Sequence, residues 1–227
     1  MGPGKMSAAS DTTQREARRM NRGHAPNADP ELAEAMRNDA ILIAKKKREE
    51  TTAKRHISTA LQRHGFLLED VPADGNCFLA ALKVTCGKEF TRLDGVHSDL
   101  RQQLVTWLRN NANEHPDLPE AQLYDCEAWD KEMNRLSNDG VFCETEMIIA
   151  ATEVLKRNII IYTCKPNGEP TGWIRFPRTV KPWPDTIWMG LHNDRHFYGS
   201  LPLSSEQVGS EQYRLRTETA EKLIYEV

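Results

Sequence analysis

No apolar run in this 227-residue sequence approaches the roughly 18 residues that a membrane span needs, so no membrane partner is expected. The opening stretch, "MGPGKMSAASDTTQREARRMNRGHAPNADP", lacks the apolar h-region of a secretory signal. The five cysteines, at positions 77, 86, 126, 143 and 164, are odd in number and include no C-x-x-C pair. That pattern argues against a disulfide framework and against a typical zinc site, and neither a metal nor an organic cofactor is expected. Free thiols point to a reducing, intracellular setting. The expected location is therefore the cytoplasm or nucleus, or the host cytoplasm for a chain of viral or bacterial origin. No internal repeat is present.

Charge is short of balance in both directions. Residues 1–64 carry 13 Lys/Arg against 8 Asp/Glu, and residues 65–227 carry 17 against 25. A basic arm on an acidic body implies two functional parts, the body suited to a basic partner. Runs such as Lys45-Lys46-Lys47-Arg48 read as solvated helix faces, so nucleic acid is not the expected partner and that of the basic helices is left unassigned.

Residues 1–28 are poor in large apolar side chains and are expected to be disordered. Asp29-Pro30-Glu31 reads as a helix start, and Leu32, Met36, Ala40 and Ile43 form a narrow stripe after it. A second helix is expected over Thr51–His64, with Ile57, Ala60 and Leu61 on one face and Gly65 ending it. "GFLLEDVP" reads as a short extended segment. Helical patterns follow over Asp94–Asn110, Pro119–Leu136 and Glu144–Lys156. Asn158–Thr163, "TGWIRF", "TIWMGL" and "HFYGSL" read as strands, with a turn at Pro166-Asn167-Gly168. Helices first and strands later predict a mixed α/β or α+β domain.

The chemistry centres on "VPADGNCFLAALKVTCG". Asp74-Gly75-Asn76 is turn chemistry, and Phe78, Leu79, Leu82 and Val84 continue as a helix entering a core. Cys77 would then stand at a helix N-terminus, where unpaired N–H groups and the dipole favour an anion and lower a thiol pKa. The plainer alternative is a buried, inert cysteine. A nucleophilic cysteine needs a base, often from far along the chain. Of seven histidines, His24, His56 and His64 lie on the arm and basic helices, His97 at a helix start and His115 in a polar loop. His192 falls in the turn His192-Asn193-Asp194-Arg195, and His196 opens a strand, where it would be rigidly placed as a base must be.

"DGNCFLAAL" resembles the nucleophile motif of the ovarian-tumour (OTU) family of cysteine proteases, mostly deubiquitinases. "HSDLRQQLVTWL" resembles the family's helix with a His-x-x-Leu-Arg pattern, "GVFCETEMIIAATEVLKRNIIIY" its Gly-x-Trp-Gly-x-x-Glu-Leu helix and central strand, and "HFYGSL" its catalytic-histidine strand. Together they cover roughly residues 66–203 in family order. The resemblance implies a papain-type cysteine protease fold, a small central β-sheet flanked by helices. The chain would divide into an arm (1–28), a helical extension (29–64), a catalytic domain (65–205) and a C-terminal tail or helix (206–227).

Carried over, Cys77 is the nucleophile and His196 the general base. The Cys77 N–H with the Asp74-Gly75-Asn76 loop forms the oxyanion hole. Where the family often has Asn or Asp two residues after the histidine, this chain has Tyr198. The third member is therefore sought at Asp74, with Asn193, Asp194 and Tyr198 as other orienters of the imidazole. Phe142-Cys143 replaces Trp-Gly, a structural change. The implied function is hydrolysis of isopeptide bonds after the C-terminal glycine of ubiquitin, polyubiquitin or a ubiquitin-like modifier. The alternative is a catalytically weak ubiquitin-binding module.

Overall fold

The computed structural model describes residues 30–87, 97–122, 125–178, 183–204 and 207–225. The expected disordered arm over 1–28 and the first residues of the helix expected from Asp94 lie outside them. Two compact units divide between Lys45 and Lys46. In the described part of the first, Leu32, Met36, Ile41, Leu42 and Ile43 are all exposed.

The basic region forms one helix, α1 (Pro30–Arg63), where the sequence reading expected two. Nothing between Ala44 and Arg63 breaks a helix, because the stretch has neither Gly nor Pro. Thr51 and Thr52, the residues that read as a boundary, donate their hydroxyls to the carbonyls of Lys47 and Arg48 one turn back. The single helix expected over Pro119–Leu136 is instead a 3-10 turn (Pro119–Gln122) and a separate α-helix starting at Cys126. Asp125 sets that start by accepting the Ala128 N–H at 2.7 Å.

Five strands form one sheet: β1 (Phe66–Glu69), β2 (Arg157–Cys164), β3 (Pro170–Phe176), β4 (Asp185–His192) and β5 (His196–Pro202). Their order is β1-β5-β4-β2-β3, with β2 and β4 parallel and the other pairs antiparallel. The remaining helices are α2 (Cys77–Cys86), α3 (His97–Asn111), α4 (Cys126–Ser137), α5 (Thr145–Leu155) and α6 (Ser210–Tyr225).

The core has two parts, one on each sheet face. Leu79 and Leu82 of α2, Leu104 and Leu108 of α3, Met133 of α4 and Ile149 of α5 share a cluster with Ile161, Met189 and Phe197. On the other face Ala53, Ile57 and Leu61 of α1 pack on Ile160, Trp188 and Tyr198. Fully burying a side chain such as Ile57 stabilises by about 1.5–3 kcal/mol. Gly190 permits the close approach of α1, because a Cβ there would stand 2.2 Å from Ile57 Cγ2. The period of two along β5 sends Phe197 to Phe78 of α2, with ring centroids 5.0 Å apart. Tyr198 goes to the α1 face.

α6 closes the α1 face at the end of β1. Arg216 donates to the carbonyls of His64 and Gly65 and lies 4.1 Å over the Phe66 ring. The buried His64 stacks on Trp188 and places Nε2 2.9 Å from the Thr219 hydroxyl. Burial pushes its pKa below 6.5, the Ala60 carbonyl opposing and the charges of Arg216 and Arg63 adding to the shift.

Arg101 locks the opposite side. Its guanidinium is 1% exposed and donates to Leu136 O at 2.9 Å, Asn76 Oδ1 at 2.8 Å, Val141 O at 2.7 Å and Gly75 O at 3.4 Å. The Gly140 N–H also reaches Asn76 Oδ1, at 3.2 Å. One side chain on α3 thus ties the loop before α2 to the connection between α4 and α5.

Two expectations follow. Replacing Arg101 by Met orphans several buried oxygens and should destabilise by about 3–4 kcal/mol, roughly 1 for each acceptor lost; urea unfolding measures it. Because the folded pKa of His64 is depressed, the unfolded chain takes up the proton more readily, and the stability from neutral His64 is lost as pH falls below about 6.5. The difference in urea midpoint between wild type and His64→Gln should therefore be widest above that pH and narrow below it.

Candidate active site

The turn Asp74-Gly75-Asn76 is built for close packing. Gly75 has φ +81°, and a Cβ there would fall 1.7 Å from the Gly140 carbonyl oxygen, so no other residue fits. Asp74 Oδ1 accepts the Asn76 N–H at 3.0 Å. Cys77 is the first residue of α2, and the first N–H with an acceptor inside that helix is Ala80, bonded to Asn76 O at 2.9 Å. Sequence reading placed Cys77 correctly at a helix N-terminus.

Its protonation runs against expectation. Cys77 is 1% exposed, and burial pushes its thiol pKa up. The N–H groups of Phe197 and Phe78 oppose that shift, and the Asp74 carboxylate adds to it. Desolvation of the thiolate outweighs the helix start, so the resting group is a thiol that needs a proton acceptor. Its S–H donates to the Arg195 carbonyl at 3.7 Å.

That contact sets the sulfur against the backbone on either side of His196. This histidine opens β5 and pairs across the strand with His192. Its Nε2 lies 3.3 Å from Asp70 Oδ1, while Nδ1 is buried without a partner among the described residues. If Nε2–H donates to the carboxylate, the lone pair is left on Nδ1, the nitrogen a base would use. Tyr198 packs against the imidazole edge-to-face, 4.6 Å between centroids at 88°. It orients the ring by contact and supplies no carboxylate.

The carboxylate at the histidine belongs to Asp70, which sequence reading did not single out. The β1–β5 ladder runs to Glu69↔Gly199, and one further step sets Asp70 opposite Tyr198. The cross-strand neighbour of position 198 thus carries the group that position 198 lacks. Burial raises the Asp70 pKa, but hydrogen bonds from Lys54 and His196 outweigh it and hold the carboxyl below the usual range. The other candidates make different contacts among the described residues. Asp74 is committed to the Asn76 N–H. Asn193 and Asp194, at φ +55° and +49°, shape the β4–β5 turn, with Asn193 N–H on Cys164 O at 2.9 Å, and neither bonds the imidazole. Of the oxyanion loop, the Asn76 N–H is already used, which leaves the backbone N–H groups of Asp74, Gly75 and Cys77 without a protein acceptor among the described residues.

A cleft of about 680 Å³ opens beside this arrangement, with Ala73 and Gly75 on one wall, Phe142 and Glu144 on another, and Asp194 and Arg195 at the turn. A second hollow of about 240 Å³ shares Ile148, Leu191 and Asp194 with it and continues toward β2 and β3. Cys143 is fully buried, its pKa pushed up to about 12 by burial despite the nearby Arg101 charge. Among the described residues no group of three or more His, Cys, Asp or Glu is placed to hold a metal.

No protein-family model matches the chain. No curated protein matches it at the sequence level. Solved structures do match. The OTU domain of human OTUD1 aligns with a TM-score of 0.54 at 16% identity, over 70% of this chain and 98% of that one. The Hazara virus OTU bound to ubiquitin gives 0.48 at 16% identity, over 62% and 83%. An OTU deubiquitinase from Wolbachia pipientis gives 0.43 at 12% identity, over 67% and 96%. With nearly the whole OTUD1 domain matched by the six helices and five-stranded sheet described above, the chain has the ovarian-tumour (OTU) domain fold.

Proposed function

We propose that this chain is a thiol-dependent deubiquitinase that hydrolyses isopeptide bonds after the C-terminal glycine of ubiquitin or a ubiquitin-like modifier. The observation that carries this reading is that a buried cysteine at a helix start bonds the carbonyl of Arg195, the residue before a histidine whose Nδ1 is buried without a partner among the described residues. Its other ring nitrogen meets a carboxylate.

In this mechanism His196 Nδ1 takes the proton of Cys77 as sulfur attacks the glycine carbonyl carbon. The negative oxygen that forms is met by the Gly75 and Cys77 N–H groups and the positive end of α2. His196 then returns the proton to the leaving lysine amine, and the C–N bond breaks to give a thioester. Water, deprotonated by His196, hydrolyses that ester and restores the thiol. Asp70 holds the imidazole in the tautomer with its proton on Nε2 and stabilises the charged ring. No step needs a metal.

The cleft supports a narrow polypeptide tail as substrate, because Gly75 and Gly140 bring two backbones together on one side and Phe142 bounds the other. Glu144 is paired with Arg135 at 2.7 Å, so Asp194 is the carboxylate at the cleft best placed for a basic residue of the tail. Five free cysteines agree with action in a reducing compartment, the cytoplasm or nucleus. One observation favours a catalytically weak ubiquitin-binding module instead: Cys77 is buried, which opposes its ionisation.

Ubiquitin carrying a C-terminal electrophile separates the two readings. Wild type should gain one ubiquitin mass on Cys77, Cys77→Ala should gain none, and His196→Ala should react on the order of a hundredfold more slowly. Binding without adduct formation by wild type would establish the binding module.

A further inference from the structure

The Asp70 carboxylate has two partners. Oδ1 faces His196, and Oδ2 is bonded by the ammonium of Lys54. Lys54 comes from α1, outside residues 66–203, where the family-like motifs lie. Its place on the helix is fixed by what surrounds it. Ala53 and Ile57, on either side, are fully buried. Gly190 leaves room for Ile57, and His56 Nδ1 lies 3.0 Å from the Gly168 carbonyl.

As a stabilising ion pair this contact counts for little, because Lys54 and Asp70 are 42% and 53% exposed. Its consequence is for the carboxylate's direction and net charge. We infer that Lys54 is a positioning residue for the catalytic imidazole: it holds Asp70 by one oxygen so that the other meets His196, and its charge offsets the pull of the carboxylate on the His196 proton. The inference rests on the Cys77–His196 reading proposed above.

The charged and titratable surroundings are few. From α1 come Lys54 and Glu50, whose charge reaches Tyr198. Tyr198 itself comes from β5, His192, paired across the strand with His196, from β4, Asp194 and Arg195 from the β4–β5 turn, and Cys77 with Asp74 from the α2 side. Among the described residues, Lys54 and His196 are the cationic groups acting on Asp70. Without Lys54 an uncompensated anion would stand against the ring, stabilise imidazolium and withdraw the base at low pH. One charge at roughly 6 Å, screened as in bulk water because both Lys54 and Asp70 are exposed, moves a titration by about half a pH unit.

The test is the pH dependence of Cys77 alkylation by iodoacetamide, read on the Cys77 peptide by mass spectrometry because Cys126 is also exposed. Lys54→Met keeps the aliphatic stem and removes the charge. Its alkylation midpoint should lie about half a pH unit above wild type, a roughly threefold lower rate below the midpoint, and Lys54→Arg should restore the wild-type curve. A Lys54→Met curve that superimposes on wild type overturns the inference, as does a Lys54→Arg curve shifted as far as that of Lys54→Met. Those failures leave the ubiquitin-electrophile adduct untouched. A His196→Ala curve identical to wild type would overturn the Cys77–His196 pairing and this inference with it.

Discussion

The buried guanidinium of Arg101 holds the two walls of the cleft at their distance. Among the described residues it faces no carboxylate. Its partners are three backbone carbonyls and the side-chain oxygen of Asn76, and such burial is tolerable only because the charge is answered by oxygens. The two segments it joins carry Gly75 and the Leu136–Val141 connection, whose backbones approach so closely at Gly75 and Gly140 that no side chain fits between them. The turn that presents Cys77, the N–H groups left for an oxyanion and the width of the cleft all follow from that closure.

The sheet divides the chemistry. Cys77 belongs to the α2 side, with Phe78 and Phe197, while the Tyr198 ring that braces His196 belongs to the α1 side. They meet where β5 begins. A buried thiol with a raised pKa makes little thiolate alone, so in the proposed mechanism reactivity depends on the imidazole and on whatever sets its proton affinity. That reading puts control of the nucleophile on the opposite sheet face, with Asp70 at the end of β1 and Lys54 on α1. A helix outside the family-like motifs thereby acquires a place in the proposed arrangement.

Much of this is legible in the residues, and the gaps have physical reasons. Cys77 and His196 can be found because each is marked locally, one by a Gly-containing turn before an apolar helix, the other by the first position of a strand. The four later strands declare themselves by β-branched and aromatic content. Asp70 cannot be found that way. It becomes a neighbour of His196 only through pairing of β1 with β5, some 130 positions later in the chain, and in sequence it is one more acid before a proline. Arg101 left a signal that a charge-based reading passes over: it falls at helical spacing with Leu104 and Leu108, on the apolar stripe of α3, where an arginine must be either misplaced or buried and bonded. The length of α1 is hidden in the sequence because a threonine pair reads as a boundary, although its hydroxyls bond within the helix.

Which carboxylate serves the histidine decides between Asp70 and the nucleophile's own turn. The most direct measurement compares hydrolysis of a ubiquitin C-terminal fluorogenic ester or amide by Asp70→Asn and Asp74→Asn. Asparagine at 74 still offers an oxygen to the Asn76 N–H, so the turn survives that change. The predicted result is a kcat for Asp70→Asn lower by on the order of a hundredfold with KM little changed, and a small effect at Asp74. A near-normal kcat for Asp70→Asn, with collapse in Asp74→Asn, would contradict the assignment and return the third role to the nucleophile's own turn.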